Sequence, residues 1–333
     1  MRIVLATSIY PPEIGGPSFY AESLKRALEK QGHRVDVVLY GNLKKFPSCI
    51  RHLLYALKLY RVAKSAEAII GLDTFSVGVP LGIVAPFLRI PVIVRAGGDF
   101  VWEQFTNAHS KDFITLPDFY RYTDRWALKE KVLFRLIRFA LSRLTVVFSS
   151  AWQRDLWILP YRLDPARVHV IENAIPTRVP HESGQWKNFM MYGRQIPLKN
   201  ADAFKRAFER ARKHTYDIVL EEGTISHEEL LEKLRTGYAA VLPSISDITP
   251  NYIIESICRG TPFLLTKHSA YASRFVEMGV VVDPMSEDDM VRGIRDLVDP
   301  VVYARLSKNI AAFTEVRTYE TIAKEFLELL KRQ

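Results

Sequence analysis

The sequence predicts an α/β protein made of two doubly wound parallel-sheet domains in series. Short β-branched runs alternate with helical stretches along the whole chain, the pattern of βαβ units. The runs are apolar without polar alternation, as strands covered on both faces are. The alternation is interrupted once, by the polar stretch His181–Trp186 with its Gly184, and then restarts. A chain of 333 residues has room for two such domains.

In the first half, strands are expected at Ile3–Ala6, Val35–Leu39, Ala68–Gly71, Pro91–Arg95, Leu144–Phe148 and Val168–Ile171. Helices are expected at Ser18–Gln31, Ile50–Lys64 and Arg125–Ser142. After His181–Trp186, read as the linker, strands follow at Phe189–Tyr192, Asp217–Leu220, Ala239–Leu242, Pro262–Leu265 and Val280–Val282. Helices are expected at Ala201–Arg212, His227–Leu234, Asn251–Arg259, Asp288–Leu297 and Tyr319–Lys331.

Apolar residues make up 48% and charged residues 25%, which excludes a disordered, collagen-like or disulfide-framework chain. The two cysteines, Cys49 and Cys258, are far apart, so a reduced cytosolic chain is expected. The longest apolar stretch, Phe75–Leu88, contains Pro80 and Pro86. It falls short of the ~20 residues that span a bilayer. Pro11 and Pro12 follow the first apolar run too soon for a signal-peptide core, so neither a membrane span nor export is expected.

The net charge of +9 is unevenly spread: residues 1–180 carry +10 and the rest −1. Two segments concentrate it. Lys44–Lys64 has six cations and no acid, and Arg121–Arg143 has seven cations and two acids. Such a half faces an anionic partner or is merely a solubilising surface.

Several chemistries are excluded. No two glycines stand two positions apart, so the dinucleotide fingerprint G-x-G-x-x-G cannot occur. There is no phosphate-binding G-x-x-x-x-G-K-[ST] and no G-x-S-x-G nucleophile elbow. The histidines never pair at metal spacing and Asp-x-Asp is absent, so no metal site is expected.

Three places carry chemistry. Gly15 and Gly16 end the turn after the first strand, where bare backbone lets a ligand approach a helix N-terminus; the plain alternative is a tight turn. Gly193-Arg194, with Lys199-Asn200 after it, lies on a loop at the carboxyl end of a strand, where parallel sheets bind ligands. Without a metal, a departing diphosphate needs such cations to meet its growing charge. Asp247 and Glu255 flank the start of a helix at Pro250. Free amides around Ile248–Asn251 would point at an anion, and Glu255, about one turn in, can accept hydrogen bonds from a ribose diol. Asp247 alone could be explained as an acid balancing the helix dipole.

In this order the motifs resemble glycosyltransferase family 4, whose members are retaining enzymes with the two-domain GT-B fold. Pro12-x-x-Gly15-Gly16 and Gly32-His33-x-Val35 resemble its amino-terminal signature. Ser149 and Ile171-Glu172-Asn173-Ala174-Ile175 resemble the end of its first domain. Gly193-Arg194 with Lys199 resembles its diphosphate loop, and Asp247-x7-Glu255 followed by Gly260-x-Pro262 resembles its Glu-x7-Glu motif.

The resemblance implies an acceptor-binding domain over 1–180, a nucleotide-sugar-binding domain over 181–315 and a C-terminal helix, 316–333, crossing back to the first. It implies that Arg194 and Lys199, with Gly193, bind the diphosphate and stabilise the leaving group. Glu255 would hold the ribose, and Asp247 would face the donor sugar. Ile248, Thr249, Pro250 and Asn251 would contact sugar or phosphate. Gly15 and Gly16 would sit near the diphosphate or acceptor. No metal or cofactor is implied, the nucleotide-diphosphate sugar being substrate. The implied acceptor is a glycan or a polyprenyl- or other lipid-linked molecule used in cell-surface polysaccharide or glycoconjugate synthesis. The implied location is the cytoplasm, with peripheral contact to anionic lipid on the inner membrane face through the basic first domain, and nucleic acid is not an expected partner.

The chain departs from the family pattern at Asp247, one methylene shorter than the usual Glu, and at Ala174, where glycine is usual. Asp99 stands in the loop where members often carry a histidine, and is the one acid there able to meet donor or acceptor. A GT-B nucleotide-sugar epimerase is the nearest alternative, and a non-catalytic basic membrane- or nucleic-acid-binding protein a more distant one.

Overall fold

The computed structural model describes the chain except residues 14, 44, 110, 111, 183–185, 216 and 333. Gly184 of the expected linker, Ile14 of the glycine loop and Lys44 of the first basic segment thus lie outside the described residues.

In chain order the elements are β1 (Arg2–Thr7), α1 (Gly16–Lys30), β2 (Arg34–Leu39), α2 (Ser48–Ala63), β3 (Ala68–Gly71), α3 (Gly78–Val84) and β4 (Val92–Ala96). Then come α4 (Phe100–Ala108), α5 (Leu116–Phe119), α6 (Leu128–Leu141), β5 (Thr145–Phe148), α7 (Ala151–Tyr161) and β6 (Val168–Val170). They continue with β7 (Lys187–Tyr192), α8 (Ala201–Arg212), β8 (Ile218–Gly223), α9 (His227–Thr236), β9 (Ala239–Leu242) and α10 (Asn251–Cys258). The chain closes with β10 (Phe263–Thr266), β11 (Gly279–Val282), α11 (Glu287–Val298), α12 (Pro300–Ala311) and α13 (Tyr319–Lys331).

Two compact units result. One comprises Met1–Val101, Tyr122–Ala174 and Thr318–Gln333; the other comprises Trp102–Arg121 and Ile175–Arg317. The first unit holds a six-stranded sheet in the order β2-β1-β3-β4-β5-β6, and the second a five-stranded sheet in the order β11-β10-β9-β7-β8. Every pairing in both is parallel. β3, β4, β5, β9 and β10 are buried at every position, which is why their sequences are mostly apolar, with Arg95 of β4 their one charged residue.

Crossover handedness assigns the helices. In the first unit the chain steps one way from β1 to β2 and the other way through β3, β4, β5 and β6. Right-handed connections therefore put α1 on one sheet face and α2, α3 and α6 on the other. α13 returns to the α1 face: Phe326 and Leu330 pack with Leu24 and Leu28, and Gln31 Nε2 donates to the Glu320 carbonyl at 2.9 Å. Burying Phe326 completely is worth about 1.5–3 kcal/mol. α3 approaches α6 so closely that a Cβ on Gly82 would lie 2.5 Å from the Ala140 Cα.

The helices expected at Tyr319–Lys331 and Ala201–Arg212 match to the residue, whereas α3, α4, α5, α7 and α12 are not expected from the sequence. In α7 the inner Pro160 hides the helix, and in α3 so do Gly78, Pro80 and Gly82.

Candidate functional site

In the second unit the connections also reverse. The chain steps from β7 outward to β8, then back past β7 to β9 and on to β10. The crevice at the carboxyl ends of β7 and β9 is therefore a topological switch point, the place where open α/β sheets bind ligands. The sequence-predicted residues from Gly193 to Asn251 lie on the two loops that leave these strands.

Gly193, directly after β7, has a φ of +150°, and a Cβ there would meet nothing. Its amide donates to the Gly223 carbonyl at 2.9 Å and its own carbonyl accepts from Thr224 Oγ1 at 3.0 Å. Held this way, the loop leaves Arg194 exposed, and its guanidinium makes no ion pair among the described residues. Five residues on, Lys199 Nζ lies 3.1 Å from Asp247 Oδ2, with the carboxylate mostly covered.

The loops that carry this pair are tied together through backbone. The Ile245 amide donates to the Leu198 carbonyl at 3.0 Å. Asn200, left-handed at φ 57°, sends Nδ2 to the carbonyls of Pro243 (3.3 Å) and Pro284 (2.8 Å). Asparagine tolerates that φ, and the same residue closes the turn and starts α8. The Asp247 amide donates to the His268 carbonyl at 3.0 Å, so the β9 loop is fastened to the β10 loop as well. Ser246 Oγ accepts the Leu116 amide at 3.0 Å, which brings the segment 102–121 onto the same loop.

Beyond Asp247 the expectation of several open amides needs correction. The Asn251 amide donates to the Thr249 carbonyl at 2.9 Å, and Pro250 has no N–H to give. Ile248 and Pro250 are buried, while Asn251 at the start of α10 is exposed. The Pro250 carbonyl instead takes the amides of Ile253 and Ile254, at 2.9 and 3.0 Å, and so opens the helix.

Glu255 sits one turn into α10. Tyr252, three residues earlier, anchors that turn to β7 through a 2.6 Å bond from its hydroxyl to the Met190 carbonyl. Glu255 pairs not with the loop cations but with His227, Nε2 to Oε1 at 2.9 Å. That hydrogen bond, against burial, raises the His227 pKa above its ordinary value of 6.5. His227, placed at the start of α9 by its Ser226 cap, is expected from the sequence only as the first residue of a helix and not as a site residue. An isolated histidine, 28 residues from its partner, carries no local signal.

Glu221 and Glu222, at the end of β8, are engaged. Glu221 accepts from Tyr192 Oη (2.7 Å), Lys233 Nζ (2.9 Å) and Asn188 Nδ2 (3.0 Å). Burial pushes its pKa up, but these donors outweigh burial and lower it. Glu222 pairs with Lys205 at 2.8 Å.

The remaining predicted residues belong to the first unit. Gly15, at φ +150°, precedes α1, and the Phe19 amide donates to its carbonyl at 3.0 Å. A Cβ on Gly16 would meet nothing. Asp99 is completely buried immediately before α4, a position for capping a helix rather than for meeting solvent. The reading also missed Asp73, just past β3: its Oδ1 takes the amides of Phe75 (2.7 Å) and Ser76 (2.6 Å), while burial holds its pKa up. Among the described residues no three His, Cys, Asp or Glu side chains converge as a metal site would require.

No family model and no curated protein matches this sequence. Solved structures do. Sucrose-phosphate synthase from Thermosynechococcus elongatus superposes with a TM-score of 0.74 at 15% identity, covering 100% of this chain and 99% of that one. WaaG, a glycosyltransferase involved in lipopolysaccharide biosynthesis, gives 0.72 at 12% identity over 99% of this chain and 100% of its own. Anabaena HepE in complex with UDP gives 0.69 at 12% identity, with both chains fully covered.

The fold is GT-B. At such identities the likeness is one of fold, and it spans both sheets of this chain. Within the GT-B fold, this chain's exposed arginine and its lysine–aspartate pair stand together at the switch point of the second unit.

Proposed function

We propose that the protein is a retaining glycosyltransferase. It moves a sugar from a nucleotide-diphosphate donor to a glycan or lipid-linked acceptor, in the synthesis of cell-surface polysaccharide or glycoconjugate at the cytoplasmic side of the membrane. The observation that carries the reading is the grouping of Arg194, Lys199 and Asp247 at one switch point, with Glu255 one turn into the helix that leaves it. The structural neighbours support it: HepE structures hold UDP and UDP-glucose, and WaaG is named for lipopolysaccharide synthesis.

The residues then act as follows. Arg194 and Lys199 bind the diphosphate, and their fixed positive charge is worth most as the bond to the sugar breaks and negative charge grows on the departing phosphate. Arg194 is free for this from the start. Lys199 exchanges its partner: the diphosphate takes its ammonium, and Asp247 is released towards the sugar hydroxyls. Gly193, lacking a side chain, leaves its backbone open to the phosphates. Glu255 accepts from the ribose hydroxyls, which take the oxygen that His227 holds. Backbone at Ile248 and Thr249 and the exposed Asn251 line the approach of sugar and phosphate. Gly15 and Gly16 give the first domain a bare backbone turn for diphosphate or acceptor, and Asp99 acts by shaping its loop. Retention is assigned to attack from the face the leaving group vacates, with metal replaced by the two cations.

The test is incubation with UDP-, GDP-, ADP- and TDP-sugars and lipid-linked or oligosaccharide acceptors in EDTA, with product analysis. A glycosylated acceptor of retained anomeric configuration is expected. Acceptor left unmodified while the nucleotide sugar is epimerised would replace this reading with the epimerase.

A further inference from the structure

Arg95 is the one charged residue of the strands that are buried along their whole length. It stands next to last in β4 and is 7% exposed. Two positions earlier, Ile93 packs into the core with Leu24 and Leu28 of α1. The two-residue period of a strand turns Arg95 to that same face. Its partners there are neutral. The guanidinium carbon lies 3.9 Å from the centre of the Tyr20 ring, and Nη2 donates to Asn173 Oδ1 at 2.6 Å. Nη1 covers Gly97, 2.6 Å from where a Cβ would stand. The Nε hydrogen is buried and has no acceptor. No described carboxylate forms an ion pair with Arg95. Asp73, the acid just past β3, gives its Oδ1 to the amides of Phe75 and Ser76 instead.

For the protein alone this arrangement is unfavourable. A buried charge destabilises the fold unless an opposite charge meets it, and arginine cannot shed its proton to escape. The ring and the amide oxygen fix the guanidinium in place but leave its charge whole. A cation held by neutral partners, with an N–H unused, is a preorganised receptor for an oxyanion. Its place in the fold agrees. Asn173 follows β6, and Gly97 and Gly98 follow β4. The guanidinium thus lies among loops at the carboxyl ends of parallel strands, where such sheets bind ligands.

We propose that Arg95 is a specificity-determining residue, binding through its unpartnered Nε–H an oxyanion of the acceptor, a phosphate or a carboxylate. The identity of the ligand rests on the transferase reading. The anion site itself can be tested without any sugar transfer.

The experiment follows the unfolding midpoint of the full chain against inorganic phosphate and against acetate, with ionic strength held constant by chloride. At least one anion is expected to raise the wild-type midpoint, as a ligand of the folded state does, and the more effective one names the group the acceptor carries. Arg194→Ala should respond as the wild type does, because the cation of the second unit takes no part. Arg95→Gln should need roughly tenfold more anion for the same shift, the weight of a charged hydrogen bond. Arg95→Lys, charged but without the planar fork, should fall between the two. Without anion, Arg95→Gln should unfold at or above the wild-type midpoint, since a buried charge has gone. In transfer assays with matched neutral, carboxylated and phosphorylated acceptors, Arg95→Gln should raise KM about tenfold for the anionic acceptor alone and leave KM for the nucleotide sugar unchanged. An anion response that is absent from the wild type, equal in Arg95→Gln, or lost in Arg194→Ala instead would overturn the proposal. So would an Arg95→Gln protein that unfolds well below the wild type without anion, since the arginine would then be a structural brace. Arg95-dependent anion binding with no transfer to any acceptor would unseat the transferase reading and leave the anion site standing.

Discussion

The two sheets share one topology, yet their switch points are furnished in opposite ways. Beside β7 and β9 the loops bring out charge, an exposed Arg194 and a Lys199–Asp247 pair on loops tied to their neighbours by backbone hydrogen bonds, and the helices that follow add a Glu255–His227 pair. Beside β1 and β3 the loops offer bare backbone at Gly15 and Gly16, and the nearby acids are withdrawn, Asp73 into backbone amides and Asp99 into the interior. The exposed charge of the first unit stands instead on the outer helices. Topology marks where a ligand can bind, and the side chains there differ: charge stands at the second switch point and bare backbone at the first.

Replacing charge at the second switch point should have the largest effect. Arg194→Ala removes an exposed side chain that makes no ion pair among the described residues, so the melting temperature should hold while sugar transfer falls on the order of 10²-fold. An equal loss of stability and activity would mean that the arginine is structural.

The glycines sharpen the contrast within the first unit. Gly82→Ala forces a Cβ to within 2.5 Å of the Ala140 Cα and should cost about 1–3 kcal/mol in denaturant unfolding. Gly16→Ala puts its Cβ into open space and should leave stability unchanged. Any loss it causes should appear in transfer kinetics alone, which would assign that space to a ligand.

Ser246→Ala strands the Leu116 amide in a buried setting and should destabilise the protein by about 1 kcal/mol, with a raised KM if the β9 loop loosens. An unchanged unfolding midpoint would show that segment 102–121 is not fastened there.

The smallest effect concerns pH. Because the His227 pKa is raised in the folded state, its bond to Glu255 is complete below the ordinary value of 6.5 and weakens as pH climbs through the raised value. UDP should therefore bind about two- to fivefold tighter on the alkaline side of that step, the weight of a half-exposed pair. His227→Gln should flatten the profile in calorimetric titrations across the same range. An unaltered profile would place Glu255 outside ribose binding.

Much of this was legible in the residues because it is local. Strands buried on both faces write themselves as apolar runs, and Ala201–Arg212 and Tyr319–Lys331 show helical periodicity from end to end. The loops after β7 and β9 could be found because glycine, proline and charge cluster after a strand. What escaped depends on distant contact. Nothing near His227 announces Glu255, and nothing in 102–121 announces Ser246. The Asn251 amide looked available because its acceptor, the Thr249 carbonyl, depends on how the loop turns. On α6 the cations were visible as a face, but which apolar residues stay outside was decided by how the helix rolls onto α3.

Calorimetric titration of the wild type and Arg194→Ala with UDP, GDP, ADP and TDP in EDTA tests the central claim, that the second switch point is a metal-independent diphosphate site. The account predicts that one diphosphate binds the wild type in EDTA and that Arg194→Ala weakens it on the order of tenfold or more at unchanged stability. Binding that is equal in the two proteins, or absent from the wild type for every diphosphate, would contradict it.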